Sequence, residues 1–145
     1  MRTRSYISWT VLVAAAVATT GASAHHGDAG RYEDATTTLT GTVVALQLIN
    51  PHSLIIFDVL DETTGASVRW TAEVSNAIGL SRIGWTKETL KPGDRITAQG
   101  RVVKSGAPYI NLSERARLLR ADTCEELYAS GMIFGERPDY PPPTC

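Results

Sequence analysis

The sequence predicts a small, mainly β barrel with one short helix between its third and fourth strands. Three observations predict it. Runs rich in Val, Ile, Thr and aromatic residues recur between turn signals, and such side chains suit a pleated surface. One stretch with a cap residue and helical spacing falls between the third and fourth of these runs. Gly41 and Gly100 lie inside strands, where a small barrel must coil sharply.

The elements run in order along the chain. Thr36 to Gln47, rich in Thr and Val, reads as the first strand. Asn50-Pro51-His52 ends it, because the residue before a proline is pushed out of the helical region and the chain bends. Residues 54 to 60 are nearly all apolar and form the second strand. Asp61 to Gly65 makes the next turn. Val68, Trp70, Ala72 and Val74 then alternate with Arg69, Thr71 and Glu73, the period-two pattern of a half-buried strand. Glu73 falls on the polar face and is expected in solvent. Ser75 or Asn76 can cap a short helix over Ala77 to Ile83, offering Ile78, Leu80 and Ile83 for packing. Lys91-Pro92-Gly93-Asp94 is a strong turn, since proline presets the first central residue and glycine accepts positive φ at the second. Residues 96 to 102 alternate again. Ser105-Gly106 turns the chain into a last strand from Tyr109 to Leu112, with an extension toward Leu119. Three strands, a helix and two strands make the chain order of an OB-like five-stranded Greek-key barrel. Another small barrel or sandwich pairs the same strands differently and stays open.

After Arg120 the pattern changes. Asp122-Thr-Cys-Glu125 fits a capping box, with a short acceptor at the cap and a glutamate three residues on. It predicts a helix through Glu126, Leu127 and Tyr128 that stops at Gly131. A proline-rich tail runs from Arg137 to Cys145. Cys124 and Cys145 are the two cysteines of the chain. In an oxidising compartment an even count favours a disulfide, which would staple the tail onto this helical extension. Two thiols or a soft-metal pair are the alternatives.

The compartment is read from the N-terminus. Arg2 and Arg4 precede an apolar stretch from Ile7 to Ala18, and Ala22-Ser23-Ala24 has the small-x-small pattern of a signal-peptidase site. The stretch is short for a membrane anchor, which takes about 20 apolar residues. The expected layout is a signal peptide over 1–24, a flexible leader over 25–35, the barrel over 36–120 and the extension over 121–145. The mature chain is then periplasmic, without stable membrane insertion, and carries a net charge of about −3. A nucleic-acid partner needs a basic face to displace counterions from phosphates, so that class is set aside.

Five motifs stand in order: Ala24-His25-His26, Asn50-Pro51-His52, Trp70-Thr-Ala-Glu73, Gly84-Trp85 and Leu90 to Asp94. On these the chain resembles a family of small exported bacterial proteins of unknown function. The resemblance covers residues 24 to 112 and implies a periplasmic protein with an OB-like barrel, but no established activity. Leu48 and Leu54 stand where the family often carries aromatics around the Asn-Pro-His turn. Ser75-Asn76-Ala77 replaces the usual proline after Trp-x-x-Glu. The cysteine-bearing tail lies outside the resemblance.

All three histidines lie in or beside these motifs. Cleavage after Ala24 makes His25 the first residue, so its α-amine and ring nitrogen can chelate one metal together. His52, or His26 through the intervening amide, would complete a three-nitrogen site suited to Cu(II). Set against this, a His pair after a cleavage site is an ordinary solvated leader, and a turn histidine often caps a carbonyl. Glu73 and His52 are a candidate acid–base pair. Trp70, Glu73, Arg82 and Trp85 are candidate ligand contacts, while both tryptophans also fit their elements as packing. No nucleophile motif, phosphate loop or Cys-x-x-Cys pair occurs. The expected function is a non-enzymatic periplasmic module that binds a small ligand or protein partner on its barrel face. The alternatives are a copper-binding protein using the mature N-terminal histidine, and an accessory subunit or small enzyme acting on an exported metabolite.

Overall fold

The computed structural model describes residues 30–137, 139 and 141–144. The signal segment, His25, His26 and Cys145 lie outside the described residues. The strands are β1 (Thr37–Gln47), β2 (Leu54–Leu60), β3 (Ser67–Glu73), β4 (Arg95–Val102), β5 (Tyr109–Asn111), β6 (Arg117–Arg120) and β7 (Glu126–Ala129). One helix, α1 (Ala77–Arg82), lies between β3 and β4. The first five strands close into a barrel: β1 pairs β2, β2 pairs β3, β3 pairs β5, β5 pairs β4, and β4 returns to β1. Every pairing is antiparallel except β3 with β5.

One long strand makes closure possible. Residues 37–42 of β1 pair with β4, and residues 42–47 pair with β2. The handover falls beside Gly41. A Cβ there would sit 2.5 Å from the Asp58 carbonyl oxygen, so only glycine lets the strands approach. Gly100 plays the same part where β5 crosses β4, with a Cβ position 2.4 Å from the Asn111 carbonyl oxygen. Val43, Ile55, Phe57, Ala72, Ile96, Ala98 and Ile110 point inward, all buried. The expected alternation holds toward the end of β3, where Ala72 and, just past the strand, Val74 are buried. Trp70 is half-buried and Val68 is exposed beyond the core.

The Asn76 side chain caps α1, accepting from the Gly79 amide at 2.7 Å. Leu80 is fully buried and Ile83 packs against the core, but Ile78 points to solvent.

Two expectations need correction. The last strand does not run unbroken toward Leu119. It breaks at Ser113–Ala116, where Arg115 takes φ 51°, and resumes as β6. The break lets β5 lie against β3 while β6 pairs with β4 over Ile96–Gln99. The segment after Arg120 is not a helix. Residues 121–125 form a turn, with Cys124 at φ 58°, and Glu126–Ala129 returns as β7 against β6. Beyond β7 the chain makes a single 3-10 turn, Met132–Phe134. The capping-box pattern lost because a strand here buries Tyr128 and Ala129, brings Glu126 into an ion pair with Arg117, and covers the outer edge of β6. A short helix would satisfy its own backbone but leave that edge open. The Cys124–Cys145 pairing falls on Cys145, outside the described residues.

The end of the segment read as a leader is docked. Tyr32 is 3% exposed and bridges to Val103. The Lys104 amide donates to the Arg31 carbonyl at 3.0 Å, and the Glu33 amide to the Val102 carbonyl at 2.8 Å. Among the described residues no helix is long and apolar enough to cross a membrane.

Candidate functional site

The site begins with Ser53. Its side chain is fully buried; the hydroxyl donates to the Ile49 carbonyl at 3.2 Å and accepts from the Ile49 amide at 3.3 Å. Its backbone exchanges hydrogen bonds with the chain beyond β3, through Ser75 and Val74. The turn containing the cis Asn50–Pro51 bond is thereby fixed against the end of β3. This sets His52 beside Glu73, whose strand partner in β2 is Leu54.

On the other side of β3, the parallel register puts Glu73 opposite Asn111 and Thr71 opposite Tyr109. Side chains two apart in a strand share a face. Tyr109 and Asn111 therefore stand together with Glu73 on the outer wall of the barrel, while Ile110 points into the core.

Glu73 is the hub. Its side chain is only 16% exposed, not the solvated carboxylate that the polar-face position suggests. His52 Nδ1 lies 2.7 Å from Oε1, the Tyr109 hydroxyl donates to Oε2, and Asn111 Nδ2 donates to Oε1 at 3.4 Å. Asn111 is itself held by Ser113, whose backbone amide donates to Oδ1 at 2.8 Å and whose hydroxyl also contacts that oxygen. An ionised carboxylate only accepts, so Nδ1 of His52 carries the proton. When the ring is neutral it offers Nε2 as a lone pair, on a side chain 57% exposed. Burial, then the hydrogen bond to the Glu73 carboxylate and its charge, push the Tyr109 phenol well above the usual tyrosine range. Tyr109 is a fixed donor at every physiological pH.

A second feature adjoins this one through Tyr109. The Arg31 guanidinium carbon lies 5.3 Å from the Tyr32 ring centroid and 5.7 Å from that of Tyr109, within cation–π range.

The chemistry available is bounded by these groups. A histidine oriented by a carboxylate can accept a proton or ligate a metal. Tyr109 is committed to the carboxylate rather than to the imidazole. The constellation therefore lacks, among the described residues, the nucleophile–base contact of acyl-transfer sites. Among the described residues no three His, Cys, Asp or Glu side chains converge on a metal position.

The other sequence candidates lie elsewhere. Trp85 is 5% exposed and its indole N–H donates to the Leu127 carbonyl at 2.9 Å, so it anchors β7. Trp70 packs against the core. Arg82 is exposed at the end of α1. His25 and His26 lie outside the described residues. Tyr109, Asn111 and Arg31 were not foreseen from the sequence. The one available signal was the Tyr-Ile-Asn alternation, which puts two polar side chains on one face but cannot say beside which strand.

One protein-family model matches residues 12–109. The chain belongs to this family, a family of unknown function designated DUF6152. The DUF6152 match spans His52, Glu73 and Tyr109 and ends before β6, β7 and the cysteine-bearing tail. No curated protein matches the chain.

Proposed function

We propose that this DUF6152 protein is an exported, non-enzymatic binding module that takes a small ligand or protein partner on the barrel wall around His52, Glu73 and Tyr109. One observation carries the reading: a half-buried carboxylate held by a tyrosine and an asparagine orients an exposed imidazole. Such a fixed group beside a fixed phenol recognises a partner without needing a nucleophile. The closed five-stranded barrel, with β3 parallel to β5 and α1 between β3 and β4, supports the OB-like reading, and OB barrels bind across one sheet face and its loops. Export rests on the charged and apolar segment before Ala24. The Cys124–Cys145 staple belongs to the same reading, supported by the lack of any free cysteine among the described residues.

The test uses isotopically labelled mature protein titrated with fractionated periplasmic small molecules. Saturable shifts at His52 and Tyr109 that vanish in Glu73→Gln are expected. Turnover of any substrate that Glu73→Gln abolishes would reject the non-enzymatic reading. Intact mass after export fixes the N-terminus at His25 or refutes cleavage after Ala24. A loss of two hydrogens relative to the reduced chain marks the disulfide.

A second reading is copper binding by the mature N-terminal His25 with His52. The observation favouring it is the Nδ1 contact with Glu73, because metal-ligating histidines commonly give their other nitrogen to a carboxylate. Calorimetry with Cu(II) on the mature protein is expected to give tight one-to-one binding, weakened by His25→Ala and by His52→Ala. Wild-type affinity in either variant rejects it.

A further inference from the structure

Beside Tyr109 lies an open groove of about 460 Å3, lined by Gly30, Arg31, Val103, Lys104, Ser105, Ala107 and Tyr109. Among the described residues its lining holds two cations, Arg31 and Lys104, and no carboxylate. Arg31 is held on two aromatic rings, yet its guanidinium has no ion-pair or hydrogen-bond acceptor among the described residues. A guanidinium carries five donors in a fixed fork that matches a carboxylate or phosphate. Ordinarily a surface arginine is mobile and solvated. Here the backbone beneath it is stitched to the end of β4 by the Lys104 to Arg31 hydrogen bond and the Tyr32–Val103 bridge, and the guanidinium rests over two rings, which restricts the charge before any ligand arrives. Among the described acidic residues, Asp34 lies 3.7 Å from Arg101, and Glu73 faces Tyr109 and His52. The volume falls in the range of small-molecule sites.

We infer that this groove is an anion subsite, binding the carboxylate or phosphate of a small free ligand between Arg31 and Lys104, with the Tyr109 ring as its wall. The inference rests on the binding-module reading, because Tyr109 also holds Glu73. Arg31 and Lys104 bind the anionic end, and the Tyr109 hydroxyl leads through Glu73 to the His52 imidazole, so a ligand reaching both would carry a negative group and a polar one.

Inorganic phosphate and acetate are titrated into the labelled mature protein at constant ionic strength, with chloride as control. Saturable shifts at Arg31, Lys104 and Tyr109 with phosphate or acetate, but not chloride, are expected. Arg31→Gln and Lys104→Gln should each weaken binding about tenfold and Arg31→Lys less, with unchanged Tyr32 and Val103 resonances reporting an intact fold. His52→Ala separates the two proposals. Anion binding that survives it supports the subsite whatever becomes of the His52 surface. Anion binding lost in His52→Ala but kept in Arg31→Gln places the anion elsewhere and overturns the inference. A response equal to that of chloride overturns it too. Binding to phosphatidylglycerol vesicles with no response to free phosphate or acetate also overturns it, since the charge would then serve a lipid surface.

Discussion

Replacing Tyr109 with phenylalanine removes one hydroxyl and leaves the ring under Arg31. The hydroxyl donates to Glu73, a carboxylate whose remaining partners are His52 and a long contact from Asn111. Hydrogen bonds to charged groups contribute about 1.5–3 kcal/mol. Tyr109 is half-buried, and solvent screening places the expected loss near the lower end, about 1.5 kcal/mol at pH 7. For a domain of this size that is a fall in Tm of roughly 5–10 °C. The pH dependence is more telling. The folded phenol is held above the ordinary tyrosine value of 10.0 by burial first and by Glu73 second. A raised folded value means the stabilisation is complete below the unfolded value and is lost as pH climbs from there toward the folded one. The wild-type advantage over Tyr109→Phe should therefore hold to about pH 10 and then shrink by at most about 1.4 kcal/mol per pH unit. Denaturant unfolding of both proteins from pH 7 to 11 measures this. Parallel curves across the alkaline range would refute the placement of the phenol on Glu73.

The packing makes three further predictions. Trp85→Phe leaves the Leu127 carbonyl without its indole donor and should cost about 1–3 kcal/mol, with β7 amides losing exchange protection before those of the barrel. Gly100→Ala sets a methyl 2.4 Å from the Asn111 carbonyl and should destabilise by about 1–3 kcal/mol or more, read as a lower urea midpoint. The Asp94 carboxyl is held below its usual range by the Lys91 amide first and by Arg120 as well, a depressed value whose stabilisation is full above the unfolded value of 3.8 and is lost as pH falls through the folded one. Asp94→Asn should flatten that acid limb in unfolding curves between pH 5 and 2.

The barrel strands were legible because their signals are local. Val68 to Val74 alternates, Lys91 to Asp94 spells a turn, and glycine inside a strand marks a close approach that Gly41 and Gly100 both make. The extension was misread for the same reason. Its capping pattern is also local, but the outcome depended on the open edge of β6, which exists only once β5 has broken away toward β3. The candidate site divided along the same line. His52 and Glu73 were named from the sequence, while Tyr109 and Asn111 were not. Their meeting with Glu73 requires the parallel β3–β5 pairing, between residues separated by more than thirty positions.

That pairing also decides what Glu73 is. On the pattern of its own strand it is a surface carboxylate, since Ala72 and Val74 are its inward neighbours. Only when β5 arrives does the outer wall acquire a phenol and an amide, and only when Ser53 ties down the preceding turn does an imidazole reach it. Solvation that the carboxylate loses on both sides is replaced by donors from both sides, which is the condition for keeping a charge in a partly buried place. The arrangement fixes three side chains at once. Removing the carboxylate while keeping its shape, as in Glu73→Gln, would leave a group whose Oε1 alone can still accept, so the tyrosine and the histidine would compete for one oxygen. The histidine, more exposed and set on a turn, should be the one released.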